Sequence, residues 1–313
     1  MKRIALLGAG GHSRAQHGAP WRALAEAHPD RVKLVAVCDL DASKARAFCD
    51  ELGFRRAYTD VREMLDKERL DGLVTVTPIE ATERIVLDLL PARIPMVIEK
   101  PPGRSAEAAA RLRDAARTHG APHMVSFNRR FSPAITRARQ WLTDRGTGGV
   151  VRMVIARMLR DERIEDDFMV GTGIHLVDTA LSLSGRPETV RALSRPASRE
   201  GVRVYQGQVA CEGGAVVSLH VAPCAGVVEE TYELIGDDFR ILIDTQRCRL
   251  AIDCNNERID TWQPPPGEPD YITSGAYAEA EAFLEALEGK REFGPTLEEG
   301  VEAMKVAEQL VEN

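Results

Sequence analysis

The residue types best suited to chemistry are Lys100, within Glu99-Lys100-Pro101-Pro102, and His175, within Thr172-Gly173-Ile174-His175-Leu176-Val177-Asp178. An ammonium held against a substrate oxygen stabilises a developing alkoxide or exchanges a proton with it. An imidazole titrates near neutrality and takes either acid or base role. Each has a bland alternative. Lys100 also reads as a surface lysine before a turn, and His175 as a structural histidine on a helix face, with Asp178 one turn away and able to influence the ring. Adjacent Arg129 and Arg130, in Asn128-Arg129-Arg130-Phe131, read as ion-pair partners or as the border of a cleft at a domain junction. A second group, Gly8-Ala9-Gly10-Gly11 followed by His12 and Ser13, has the composition of a phosphate-binding turn. Glycines let the backbone approach a pyrophosphate, whose charge is met by peptide N–H groups. Ser13 occupies the position of the usual third glycine, and Asp39 lies about thirty residues on, where an acid accepts hydrogen bonds from a ribose diol.

These residues are placed by predicted strands. Ile4-Ala5-Leu6-Leu7 is a short apolar run ending in the glycines, and Leu34-Val35-Ala36-Val37-Cys38 is a second one ending at Asp39. Asp41 caps a helix that Gly53 stops, Asp60 with Glu63 resembles a capping box, and Ser105 caps a helix ending near Gly120. Leu73 to Thr77 is a strand ending at Pro78, and Met96 to Ile98 is a strand that delivers Lys100 to the edge where ligands sit in open α/β sheets. The paired prolines stiffen that edge and allow a cis bond. Gly18 and Pro20 disfavour a regular helix directly after Gly11, so a longer glycine loop and a late helix with Pro20 in its first turn are expected. After Phe131 the pattern changes to extended runs joined by tight turns such as Glu212-Gly213-Gly214, which predict a largely antiparallel sheet.

The expected fold class is α/β: an N-terminal Rossmann domain with a doubly wound parallel sheet over residues 1–125, then an α+β substrate and oligomerisation domain over 126–313 with a large, mostly antiparallel open sheet. At 313 residues two domains are the default. The net charge of −7 is spread along the chain, which argues against nucleic acid or an anionic membrane as partner. The apolar run near the start meets glycine within five residues, so it reads as a strand rather than a signal peptide. The six cysteines show neither CxxC nor metal-ligand spacing, so free thiols in a cytoplasmic setting and no metal are expected.

Taken together, the motifs resemble those of the glucose-fructose oxidoreductase and inositol dehydrogenase family, Gfo/Idh/MocA. The resemblance runs nearly end to end through Gly8-Ala9-Gly10, Asp39, Thr77-Pro78, Glu99-Lys100-Pro101, Phe127 to Phe131 and Gly173 to Asp178. It implies an NAD(P)-dependent dehydrogenase acting on a secondary hydroxyl of a sugar, cyclitol or related polyol, and a homodimer or homotetramer. By the same resemblance Lys100 and His175 are the active-site pair. Gly8, Gly10, Gly11, His12, Ser13, Asp39, Thr77, Pro78, Glu99 and Lys100 are expected to hold the cofactor, and Lys100, Arg129, Thr172 and His175 the substrate. Asp39 favours NAD over NADP because a carboxylate repels a 2′-phosphate. Two positions depart from the family pattern: Gly171 replaces the aspartate often found four residues before the histidine, and Thr82 replaces a histidine five residues after the threonine of Thr77-Pro78. The departures leave two further readings open. One is an enzyme that uses NAD without net redox, through elimination, epimerisation or glycoside cleavage; the other is a nucleotide-sensing relative without catalysis.

Overall fold

The computed structural model describes residues 1–312 and divides into two compact units, one of residues 1–128 with 276–301 and one of residues 129–275 with 302–312. The first unit opens with β1 (Lys2–Leu7), whose last four residues are buried, and turns helical at once. Helix α1 (Gly11–Ser13) passes into an i→i+5 turn over Arg14–Gly18 and then into α2 (Ala19–Ala27). The expected long glycine loop is therefore corrected, since Arg14 N–H already donates to Gly10 O at 2.9 Å. Pro20 does fall in the first turn of α2, and the wide turn before it gives the slack that its missing N–H and bulky ring require. Gly18 lies against the next helix so closely that a Cβ there would stand 2.4 Å from Leu52 Cδ1.

The chain then alternates: β2 (Val32–Cys38), α3 (Ala42–Leu52), β3 (Arg56–Tyr58), α4 (Val61–Lys67), β4 (Gly72–Thr75), α5 (Ile79–Leu89), β5 (Met96–Glu99), α6 (Ala106–His119) and β6 (His123–Ser126). All six strands are parallel, in the order β3-β2-β1-β4-β5-β6. The order reverses direction between β1 and β4, so a crevice opens there beyond the carboxyl ends of the strands.

The second unit contains α7 (Pro133–Asp144), β7 (Met153–Leu159), α8 (Ile174–Ser184), then β8 (Pro187–Pro196), β9 (Arg203–Cys211), β10 (Val216–Ala222), β11 (Glu229–Ile235), β12 (Phe239–Asp244), β13 (Arg249–Cys254), β14 (Glu257–Trp262) and the short α9 (Asp270–Thr273). Its eight strands run in the order β14-β13-β12-β11-β7-β10-β9-β8 and are antiparallel except where β7 meets β10. Helices α8 and α7 pack on one face, α8 over the buried Val154, Ala156, Met158, Val217, Leu219 and Val221 of β7 and β10, and α7 over β12 and β13. The other face carries the alternate residues of each strand.

Helices α10 (Ala276–Leu287) and α11 (Leu297–Glu312) end the chain. Residues 276–301 complete the first unit because Phe283 of α10 is fully buried against Trp21 of α2, with ring centroids 6.3 Å apart and nearly perpendicular. Gly72 leaves room for that ring, since a Cβ there would lie 2.8 Å from Phe283 Cε1.

Candidate functional site

A cleft of about 890 Å³ opens in the first unit at the turning point of its sheet. Its walls come from the residues that directly follow β1, β2, β4 and β5, the arrangement expected of an open α/β sheet. Gly8 holds φ +99° and a Cβ there would stand 1.9 Å from Val76 O, so only glycine fits between the ends of β1 and β4. Gly10 and Gly11, in contrast, border open space, and Ser13 ties the turn by donating from Oγ to Gly8 O at 2.6 Å. At the end of β2 the Asp39 carboxylate accepts from Ala9 N–H at 2.7 Å through one oxygen and from Asp41 N–H at 2.9 Å through the other. The opposite wall holds Val76, Thr77, Pro78, Ala81, Arg84 and Ile85. Thr77 and Thr82 share a hydroxyl–hydroxyl hydrogen bond of 2.9 Å, so Thr82 closes the α5 end of this wall.

Glu99 and Lys100 line the far side of the cleft, and the Lys100–Pro101 peptide is cis. Glu99 is buried, with His12 Nε2 3.3 Å from one carboxylate oxygen and His17 Nε2 2.7 Å from the other. Burial alone would raise its pKa. The hydrogen bonds and charge of the two imidazoles outweigh that, and hold the carboxyl below its usual range. The structure thus gathers Gly8, Gly10, Gly11, His12, Ser13, Asp39, Thr77, Pro78, Glu99 and Lys100 around one cleft.

Sequence reading passed over several residues of this site. Leu40, Lys44 and Arg84 line the cleft and His17 sits behind it. Leu40 had a signal, being next to Asp39; it is almost fully exposed, which is unusual for a leucine in a concave surface. Lys44 and Arg84 are helix residues with no local pattern to mark them.

The other candidates belong to the second unit. His175 is buried in the first turn of α8. Asp178, one turn on, receives a two-pronged bond from Arg130, at 2.8 and 2.6 Å. Arg129 turns instead to Glu230, a fully buried carboxylate that also binds Arg160 and accepts from the Tyr232 hydroxyl at 3.1 Å. Burial would raise the pKa of Glu230, but the two guanidinium charges hold it below the usual range. Thr172 accepts from Arg163 at 3.0 Å. An added Cβ at Gly171 would lie 3.7 Å from Asp167 Oδ2, so a carboxylate from one turn earlier stands beside the position that lacks one.

Known proteins resemble the chain in sequence and in fold. Residues 2–127 match the model of the GFO_IDH_MocA oxidoreductase family, described as having an NAD-binding Rossmann fold. D-apiose dehydrogenase of Paraburkholderia graminis is 29% identical over 242 residues, which is 73% of this chain and 60% of that protein. The chain thus aligns with about three-fifths of that relative's length. Among solved structures, a dehydrogenase from Chromobacterium violaceum superposes with a TM-score of 0.87 at 20% identity, covering 99% of this chain and 94% of the other. Levoglucosan dehydrogenase in complex with NADH and levoglucosan gives 0.85 at 19% identity, covering 99% and 96%. These two likenesses show the shared fold.

Proposed function

We propose that this chain, whose residues 2–127 match the family model of NAD-binding Rossmann oxidoreductases, is a Gfo/Idh/MocA-type NAD-dependent dehydrogenase of a secondary hydroxyl on a sugar, cyclitol or related polyol. The observation that carries this reading is the cleft itself, in which bare glycine backbone at Gly10 and Gly11 lies between a ribose-binding carboxylate at Asp39 and an amine at Lys100. The residues present fit the cofactor. Open peptide groups at the start of a helical stretch suit a pyrophosphate, and Asp39 keeps acceptor capacity on both oxygens for a diol after its two backbone bonds. A nicotinamide dinucleotide held by these residues would supply the hydride acceptor. Lys100 stabilises the oxygen as negative charge develops on it and takes part in moving its proton. His175 is the second acid/base group, and its support is the motif it stands in. Thr172 and Arg129 are the further substrate candidates, with Arg129 acting through the network around Glu230.

The polyol substrate class is supported by what the relatives act on. A homo-oligomer and a cytoplasmic setting complete the proposal. Among the described residues no helix is long and apolar enough to cross a membrane, and all six cysteines are free thiols.

The test is single-turnover hydride transfer at saturating NAD over a panel of sugars, cyclitols and sugar acids, with product mass recorded beside NADH. Lys100→Met keeps much of the apolar stem and removes the charge, so a loss of about 10² or more in the hydride-transfer rate is expected. His175→Asn is measured in parallel, with thermal melts confirming that both variants fold. Near-wild-type rates in Lys100→Met would overturn the assignment, and altered product without NADH would point to chemistry without net redox.

A further inference from the structure

We infer that His12, His17 and Glu99 form a binding site for one divalent transition-metal ion of the zinc type, set in the floor of the first unit's cleft. The three donors, two imidazole Nε2 atoms and a carboxylate oxygen, lie within 4.8 Å of one another. Both imidazoles already face the one carboxylate, His12 Nε2 3.3 Å from one Glu99 oxygen and His17 Nε2 2.7 Å from the other. Four ligands at about 2.1 Å around tetrahedral zinc lie about 3.4 Å apart, so an entering ion widens the His17–Glu99 contact and replaces the hydrogen bonds by metal–ligand bonds.

The backbone explains how such residues meet. Five residues apart on a regular α-helix, two side chains point about 140° away from each other. The i→i+5 turn over Arg14–Gly18 takes up the extra residue and brings His12 and His17 round to the same carboxylate, with their rings edge to face at 6.1 Å. Such turns inside helices are frequent at functional sites, and this one, besides making room for Pro20, presents two imidazoles to a single acid.

The chemistry of the set is also selective. Two imidazoles and one carboxylate match the three-ligand zinc sites that keep a coordination position open, and hard ions such as calcium prefer an all-oxygen shell. Glu99 and His17 are buried while His12 is exposed at the cleft, so the site is closed behind and open in front. A carboxylate and two neutral imidazoles are the deprotonated donors such an ion requires. Gly10, Gly11, His12 and Glu99 line the same cleft, which puts the open position toward the space assigned to the dinucleotide. The inference stands apart from the catalytic reading, because metal binding is measured on the protein without cofactor or substrate.

The experiment uses the full chain after chelator treatment, titrated with Zn2+ by calorimetry and with Co2+ by visible absorption. One ion per chain is expected, with a dissociation constant below about 100 µM and a tetrahedral Co2+ band lacking thiolate charge transfer. His12→Ala, an exposed change that leaves the core intact, should weaken binding at least about tenfold, and Glu99→Gln should do the same. Absence of saturable binding in that range overturns the inference, as does unchanged affinity in His12→Ala; either result leaves the three residues as a hydrogen-bonded set. A thiolate charge-transfer band also overturns it, by moving the ion to the cysteines. Should Glu99→Gln fail to fold, His12→Ala alone decides.

Discussion

Asp39 uses one carboxylate for two purposes. Its oxygens pin the glycine turn through Ala9 N–H and the start of the next loop through Asp41 N–H, and the same carboxylate lines the cleft in which the proposed dinucleotide would sit. Lys44 also lines this end of the cleft, so the sign of the local field rests on the balance between the two. We expect wild type to bind NADH more tightly than NADPH, and Asp39→Asn to narrow that ratio at least about tenfold, since removing a negative charge beside a phosphate is worth about 1.4 kcal/mol or more in a concave site. Asparagine retains an acceptor for Ala9 N–H, which keeps the turn closed. The check is a pair of fluorescence titrations on each protein, and tighter NADPH binding by wild type would sink the idea. Asp39 was legible in the sequence because strand, turn and acid fall in a fixed order. His17 was not, because its relation to His12 depends on a helical turn that hydrophobic periodicity does not reveal.

At the scale of elements, helix ends were the most readable features. Asp41 accepts from Ser43 and Lys44 N–H, Asp60 from Arg62 and Glu63 N–H and Ser105 from Ala108 N–H, while Gly53 and Gly120 end their helices in the left-handed conformation. Each is a local bond between near neighbours, so sequence alone contains both partners. Strand β14 went unread because residues 257–261 are all exposed and carry no alternation. Strand β3 went unread because it has only three residues. Long-range pairs were equally hidden, such as Arg31 at the entrance to β2 and Glu288 just after α10, joined by bonds of 3.0 and 2.8 Å. Hydrogen bonds from Arg31 and Lys290 lower the pKa of Glu288 from 4.5 to about 2. A depressed carboxyl pKa gives stability that is full above the unfolded value and is lost as pH falls toward the folded one. Glu288→Gln should therefore cost about 1–2 kcal/mol at pH 7, and its deficit against wild type should shrink by more than half by about pH 3. Urea midpoints for both proteins at several pH values test this, and a deficit that does not change with pH would show that the charge is not responsible.

For the whole molecule, two sheets of different kind were readable from the change in pattern after Phe131, whereas the return of residues 276–301 to the first unit was not, since it depends on Phe283 finding Trp21 across the chain. The eight-stranded sheet bears on assembly. Strand register puts Met153 and Ile155 of β7, Val216 of β10, Val204 of β9, Leu193 of β8 and Leu242 of β12 on the face opposite α7 and α8. Met153, Leu193, Val204 and Val216 are about 40% exposed there, interleaved with Arg157, Glu233 and Arg240. A broad apolar face with a polar admixture is the composition of an interface rather than of ordinary protein surface, and a two-fold axis would let the same patch pair with itself. Antiparallel sheets tolerate water on one face, so the sheet needs no partner to fold, and a variant that blocks pairing should remain folded. We expect light scattering to give a multiple of the 34.4 kDa chain at micromolar concentration. Val204→Glu combined with Leu242→Glu places two buried charges on each side of the pairing, enough to bring the mass down to a single chain while circular dichroism is unchanged. A wild-type mass of one chain would remove the proposal, and an oligomer that survives the double change would move the interface to another surface.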